Sequence, residues 1–227
     1  MQLKKWNIND EVSQTIIEQN ENMVELENAF KVAELDNLII NGDFSDGTNG
    51  LGDNIGFRLE TKDNILNAIV TNTSPGSRIG LTKENYNETD KYYISVKVKS
   101  KLSQNISLSL GGYGFQVIKM NVANEFTDIN GIASPTRDLQ GGRLFIYLST
   151  SLYELNDVIN VKEPISINLT QTFGVGNEPT KEEMDEIINI TGWFDNEYAL
   201  SNKEMFIALL NMIRKNTMAI TALGGTQ

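Results

Sequence analysis

The stretch NLIINGDFSDGTNG, from Asn37 to Gly50, places three cation-compatible side chains close together: Asn41, Asp43 and Asp46. Calcium takes roughly six to eight oxygen ligands, many of them from Asp, Asn and backbone carbonyls. The spacing is not that of an EF-hand loop, which needs acidic residues at alternate positions and a closing Glu. The same residue types in a glycine-rich run also form Asx turns, in which the side chains accept hydrogen bonds from their own backbone. Both readings stay open here, and an ion at this turn would be structural.

Catalytic chemistry is narrowed by what is missing. The 227-residue chain has no His and no Cys. That removes Ser-His-Asp and thiolate nucleophiles, His-ligated zinc and the imidazole proton shuttle. Asp and Glu number 30 against 19 Lys and Arg, yet no spacing singles out a pair for acid-base work. The surplus reads as a solvated surface, and the chain as non-catalytic. A net charge of −11 argues against nucleic-acid and anionic-lipid partners. No apolar run is long enough to span a bilayer, and MQLKKWNINDEVSQ lacks the apolar core of a secretory leader. The absence of disulfides points to folding in a reducing cytoplasm.

A second group of residues could hold a ligand by shape. In RLFIYLST, Leu144, Ile146 and Leu148 fill one face of an alternating strand, and Phe145 and Tyr147 fill the other. Both faces therefore require cover or a ligand. Tyr113 and Phe115, in LGGYGF, form a second aromatic pair.

The elements that must position these residues change along the chain. Residues 9–34 carry Val12, Ile16, Gln19, Met23, Leu26, Phe30 and Ala33 at alternating steps of four and three, the a/d seam of a coiled coil with one polar member. So narrow a stripe favours self-association; the alternative is a helix packed on the domain that follows. From Asn37 to about Thr172 the period becomes two. Ile94, Val96 and Val98 alternate with Ser95, Lys97 and Lys99; Ile106, Leu108 and Leu110 alternate with Ser107 and Ser109; Ile165, Ile167 and Leu169 repeat the pattern. Ser74-Pro75-Gly76, Gly111-Gly112, Asn130-Gly131 and Gly141-Gly142 read as turns between strands. Many short alternating strands predict a mainly β fold, an antiparallel sandwich of jelly-roll type over 37–172. Residues 1–36 are then an N-terminal helix for oligomerisation or anchoring, and 173–227 a C-terminal helical region. Within the latter, Thr180-x-x-Glu183 is a capping box ahead of Met184, Ile187 and Ile188, and Gly192-Trp193-Phe194 ends the unit and docks the helix. A last helix is expected from Asn202 to about Ala222.

Two stretches carry a resemblance. NLIINGDFSDGTNG resembles the first strand and turn of jelly-roll carbohydrate-binding modules, which often open N-L-[IV]-x-N-G-x-F-[ED]-x-G. INLTQTFGVGNEPTKEEMDEI with GWFDNEY is similar to a segment of tail and baseplate structural proteins of phages and prophages of low-GC Gram-positive bacteria. LKKWNINDEVSQTIIEQNENM likewise resembles the short N-terminal helix that starts several such virion proteins. The resemblance implies a virion protein of tail fibre or baseplate, made in the host cytoplasm, associating as a homotrimer with itself and with other virion proteins. It implies host attachment through a cell-surface glycan, with Phe145 and Tyr147 as the first candidate platform and Tyr113 and Phe115 as the second. For these aromatics the alternative is packing beneath another element or at a subunit interface. The related modules often hold a structural calcium near this turn with help from the last strand, which adds Asn168 to Asn41, Asp43 and Asp46. No other cofactor is expected. Two further roles stay open: an architectural adaptor or head decoration without a ligand, and a carbohydrate-binding module of a cell-surface protein.

Overall fold

The computed structural model describes residues 35–73, 76–112 and 116–194, which fall in one compact unit, Leu35–Leu200. The heptad seam from Val12 to Ala33, the aromatic pair Tyr113 and Phe115, and the expected last helix lie outside the described residues.

Ten strands build the unit: β1 Gly52–Ile55, β2 Phe57–Lys62, β3 Ile65–Val70, β4 Ser77–Tyr86, β5 Tyr92–Lys99, β6 Asn105–Leu110, β7 Val117–Met120, β8 Thr127–Ala133, β9 Leu139–Leu148 and β10 Val158–Asn168. Two helices follow, α1 Leu169–Phe173 and α2 Lys181–Thr191. The strands form two five-stranded sheets, ordered β1-β4-β9-β6-β7 and β2-β3-β10-β5-β8, and the strand pairs within them are antiparallel. Setting β1 and β2 aside, β4-β9-β6-β7 lies against β3-β10-β5-β8, an order consistent with the expected jelly roll. We call these the A sheet, which holds β9, and the B sheet, which holds β10.

The core between them is the alternating set that the sequence marks. Ile94, Val96, Val98, Ile106, Leu108, Leu110, Leu144, Ile146 and Leu148 all belong to one buried cluster. Burial of such side chains contributes roughly 1.5–3 kcal/mol each, before the entropy of ordering them.

Three local expectations are corrected. Residues 37–40 form no strand: the Asn37 side chain takes the place of ladder bonds. Its Oδ1 accepts from the Ser166 and Ile39 main-chain N–H groups, and its Nδ2 donates to the Pro164 and Phe194 carbonyls. A side chain that offers the backbone such partners competes with regular pairing. Asn130-Gly131 is not a turn but lies inside β8, where a Cβ on Gly131 would stand 2.7 Å from Val117 Cγ2 of the facing sheet. Gly141-Gly142 lies inside β9. The pairs Glu84–Gly142 and Tyr86–Leu139 leave one extra residue on β9, and Gly141, at φ 63°, takes the bulge.

A second bulge reorganises β10. Lys162 pairs with Lys97 and Ile165 with Ser95, so β10 spends three steps where β5 spends two. Glu163 adopts φ 53°, and Pro164, which has no N–H to give a ladder, follows it. The extra residue reverses the side-chain phase. Ile159 and Val161 enter the core between the sheets, whereas Ile165 and Ile167 share a face with Ser95 and Tyr93, outside it. They are nonetheless buried, at 1% and 0% exposure.

Helix α2 lies over that face. Its capping box is formed as expected: Thr180 accepts from the Glu183 N–H and Glu183 from the Thr180 N–H. Asp185 receives hydrogen bonds from Tyr93 Oη and Asn130 Nδ2, each at 2.8 Å, and pairs with Lys181. Met184 and Ile187 are fully buried. Burial, reinforced by the Asp185 carboxylate, pushes the Tyr93 hydroxyl well above its ordinary range. Trp193 Nε1 donates to the Pro164 carbonyl and Phe194 is buried, so both dock the helix as expected.

Candidate functional site

The outer face of the A sheet is the counterpart of the face under α2. Register places Ile55 of β1, Arg78 of β4, Tyr147 of β9, Ser107 of β6 and Ile118 of β7 in one transverse row. At ordinary strand spacing, five strands span about 19 Å. Ile55 and Ile118, at the two ends, are 46% and 58% exposed, and Tyr147 in the middle is half-buried. The adjoining row reads Gly52, Gly80, Phe145 and Ser109. Its two glycines make room for the Arg143 side chain and the Phe145 ring: a Cβ on Gly52 would stand 2.8 Å from Arg143 Nη2.

Phe145 and Tyr147 come together as the sequence expects, with ring centroids 5.9 Å apart and planes tilted by 50°. Their environments differ. Phe145 is buried at 6% exposure, with the Arg78 guanidinium 4.8 Å from its ring centre. Glycine at position 80 leaves room for this ring: a Cβ there would lie 3.0 Å from Phe145 Cε1 and 2.1 Å from the Gly52 carbonyl oxygen. Gly112, at φ 77°, approaches from the side; its Cβ would meet Tyr147 Oη at 3.2 Å. Phe145 is therefore the floor that supports Arg78 and Tyr147, and Tyr147 is the ring with surface to offer.

A charged clasp holds the β1 edge of this face. Arg143 Nε donates to Asp53 Oδ2 at 2.8 Å, and its Nη1 donates to the carbonyls of Gly50 and Leu81. Arg78 Nε donates to the main-chain oxygen of Asp53 at 3.1 Å. Arg78 and Arg143 are absent from the expected set of site residues. The signal for Arg78 was present: in SRIGL it alternates with the apolar positions of a strand, as Tyr147 does.

The turn from Asn41 to Gly50 is closed by its own side chains. Asn41, at φ 56°, donates through Nδ2 to the Gly47 and Asn49 carbonyls and accepts the Asp46 N–H through Oδ1. Asp43 accepts from the Ser45 N–H and hydroxyl, and Asp46 from Asn49 Nδ2. This is the bonding of an Asx-rich turn. Asn168 bonds elsewhere: Nδ2 donates to Asp90 and Tyr92 Oη, and Oδ1 caps α1 by accepting from the Gln171 N–H. None of these partners belongs to the 41–50 turn, and among the described residues no group of three acidic side chains is assembled for a metal.

No protein-family model matches the sequence, and no curated protein matches it. Several solved structures share the sandwich in part. An arabinose-bound α-L-arabinofuranosidase, MgGH51, is 14% identical with a TM-score of 0.48, over 69% of this chain and 30% of that one. A CBM4 structure is 11% identical with a TM-score of 0.43, over 57% of this chain and 99% of that one. A family 29 carbohydrate-binding module from Piromyces equi is 16% identical with a TM-score of 0.37, over 53% and 81%. The chain thus spans less than a third of the arabinofuranosidase.

Proposed function

We propose that this chain is a non-catalytic structural protein of a phage or prophage virion, a tail-fibre or baseplate component that binds a host-surface glycan on the outer face of its A sheet. The observation that carries the glycan reading is the Tyr147 row. One half-buried aromatic ring sits mid-sheet, with a hydroxyl on one flank and a guanidinium on the other. A half-buried ring with polar neighbours can stack a sugar and hydrogen-bond its hydroxyls. The tail and baseplate reading rests on the resemblance of residues 3–23, 167–187 and 192–198, and the homotrimer on the seam from Val12 to Ala33.

Two measurements test these parts. Binding to isolated host cell-wall and capsular polysaccharide should be lost in Tyr147→Ala with the fold intact. Light scattering of the full chain should give a trimer that dissociates when Ile16→Ser and Leu26→Ser are combined. An intact trimer that binds no polysaccharide would leave the architectural role, with Tyr147 covered in the assembled particle.

A further inference from the structure

We propose that the two segments flanking the sandwich, 9–34 and 201–223, bind each other within one chain, side by side and running in opposite directions. This contact lies inside a single chain and needs neither the glycan site nor the trimer.

The sandwich brings the two segments to a common root. Asn37, 2% exposed, donates through Nδ2 to the carbonyls of both Pro164 and Phe194, at 3.0 and 3.1 Å. Trp193 Nε1 donates to the same Pro164 carbonyl at 3.2 Å. Leu35 and Phe194 are both buried. The chain therefore enters and leaves the sandwich within the reach of one amide. One segment runs towards that point and the other away from it, so segments that pair from there are antiparallel. Binding segments joined over so short a span meet at an effective concentration on the order of millimolar, at which even a weak intrinsic affinity closes the pair.

The two sequences are complementary. In MFIALLNMI, residues 205–213, eight of nine positions are apolar, and a helix apolar on all sides requires cover. In the N-terminal segment, Ile17 and Val24 stand one heptad apart beside the seam residues Ile16 and Met23, outside the a/d pattern. Self-association on the seam alone leaves that second apolar edge uncovered. Charge agrees. Residues 9–34 carry seven acidic side chains and one basic, Lys31, whereas 201–223 carry three basic and one acidic, Glu204. Opposite charges along the flanks of paired helices set partner and orientation. Counted outwards from Asn37 and Phe194, Arg214 falls within about one helical turn of both Glu18 and Glu21, with Lys215 next to it.

The test is a pair of distances. The chain has no cysteine, so introduced thiols take spin labels at chosen positions only. Full chains carrying Asn20→Cys with Asn216→Cys, diluted with unlabelled chain to silence contacts between chains, should give one short, narrow distance. Asn20→Cys with Asn202→Cys should read longer by roughly 20 Å, the length of fourteen helical residues. Adding Leu209→Ser with Ile213→Ser should broaden the short distance and leave melting of the sandwich unchanged. Broad distances in both pairs, a shorter reading for the 20–202 pair, or no response to the two serines would overturn the pairing. Light scattering of the same samples separates the failures: a monomer that keeps the short distance would overturn the trimer alone, and a trimer with broad distances would overturn this pairing alone.

Discussion

The two outer faces of the sandwich start from the same strand alternation and end differently. On the B sheet the bulge at Glu163 turns Ile165 and Ile167 outward, beside Tyr93, and α2 closes over them with Met184 and Ile187. On the A sheet β9 turns Phe145 and Tyr147 outward, and no described helix covers them. Part of their burial comes instead from small neighbours and one arginine. An outward apolar set therefore does not by itself declare a binding site. Among the described residues, what separates the two faces is that a helix covers one of them. The B face has a polar anchor for that cover, with Tyr93 and Asn130 both donating to Asp185, while on the A face Arg78 lies over the Phe145 ring and donates to the Asp53 carbonyl.

The contrast can be broken most severely from the B side. Ile187→Ala should cost about 2–5 kcal/mol, as for other fully buried aliphatic truncations, and should appear as a lowered urea midpoint. Asp185→Ala leaves the Tyr93 hydroxyl and the Asn130 amide without their acceptor. It should cost about 1–3 kcal/mol, and hydrogen exchange should speed first in α2 and β8. If Asp185→Ala proves neutral, α2 is held by its apolar face alone.

Glu163→Gln probes the bulge through pH. Burial works to raise the Glu163 carboxyl, but hydrogen bonds from Lys97 and Lys162 outweigh it and hold it below its ordinary range. A lowered folded value means that the unfolded state takes up its proton first as pH falls. The contribution is therefore complete above the ordinary value of 4.5 and is lost as pH drops through the folded one. Lys97 is raised by the same pair, so its contribution is complete below 10.5 and is lost as pH rises through the folded value. Because both groups are part-exposed, the effect should stay below about 1 kcal/mol, and Glu163→Gln should flatten both limbs of the stability profile. The smallest stability effect belongs to the A face. Tyr147→Ala should shift stability by no more than about 1 kcal/mol, yet abolish glycan binding in titration calorimetry. A large loss of stability there would make Tyr147 a packing residue and erase the contrast.

Much of this was legible in the chain because period-two alternation reports directly on burial. The inward sets of β5, β6 and β9 could be read as written, and so could the Thr180–Glu183 cap, whose chemistry is local. The phase of β10 could not. Ile159, Val161, Ile165 and Ile167 share one parity in sequence, and only the extra residue at Glu163-Pro164 sends them to opposite faces. Proline inside an alternating run was the available sign. Asn130-Gly131 misled because a glycine chosen for closeness to Val117 looks like one chosen for a turn. At the site, the aromatic pair was evident from alternation in one strand, whereas the placing of Arg78 beside Tyr147 became visible only through register, since the two lie on strands far apart in sequence. The Asn41 turn was readable in kind; its partners were not, because Asx bonding depends on backbone angles such as φ 56° at Asn41.

The place of β10 bears on how the protein is made. It is the middle strand of its sheet, bonded to β3 on one side and β5 on the other, yet among the described residues it is the last strand in chain order. On the ribosome, β3 and β5 must wait with open edges until residue 168 has emerged, and the α2 lid arrives later still. Such late, long-range closure slows folding and exposes strand edges to neighbours. Nascent copies crowded on one message are then most prone to cross-pairing just before β10 appears. Stalling translation between residues 150 and 158 should yield chains that chaperones hold, whereas release past 194 should yield protease-resistant domains.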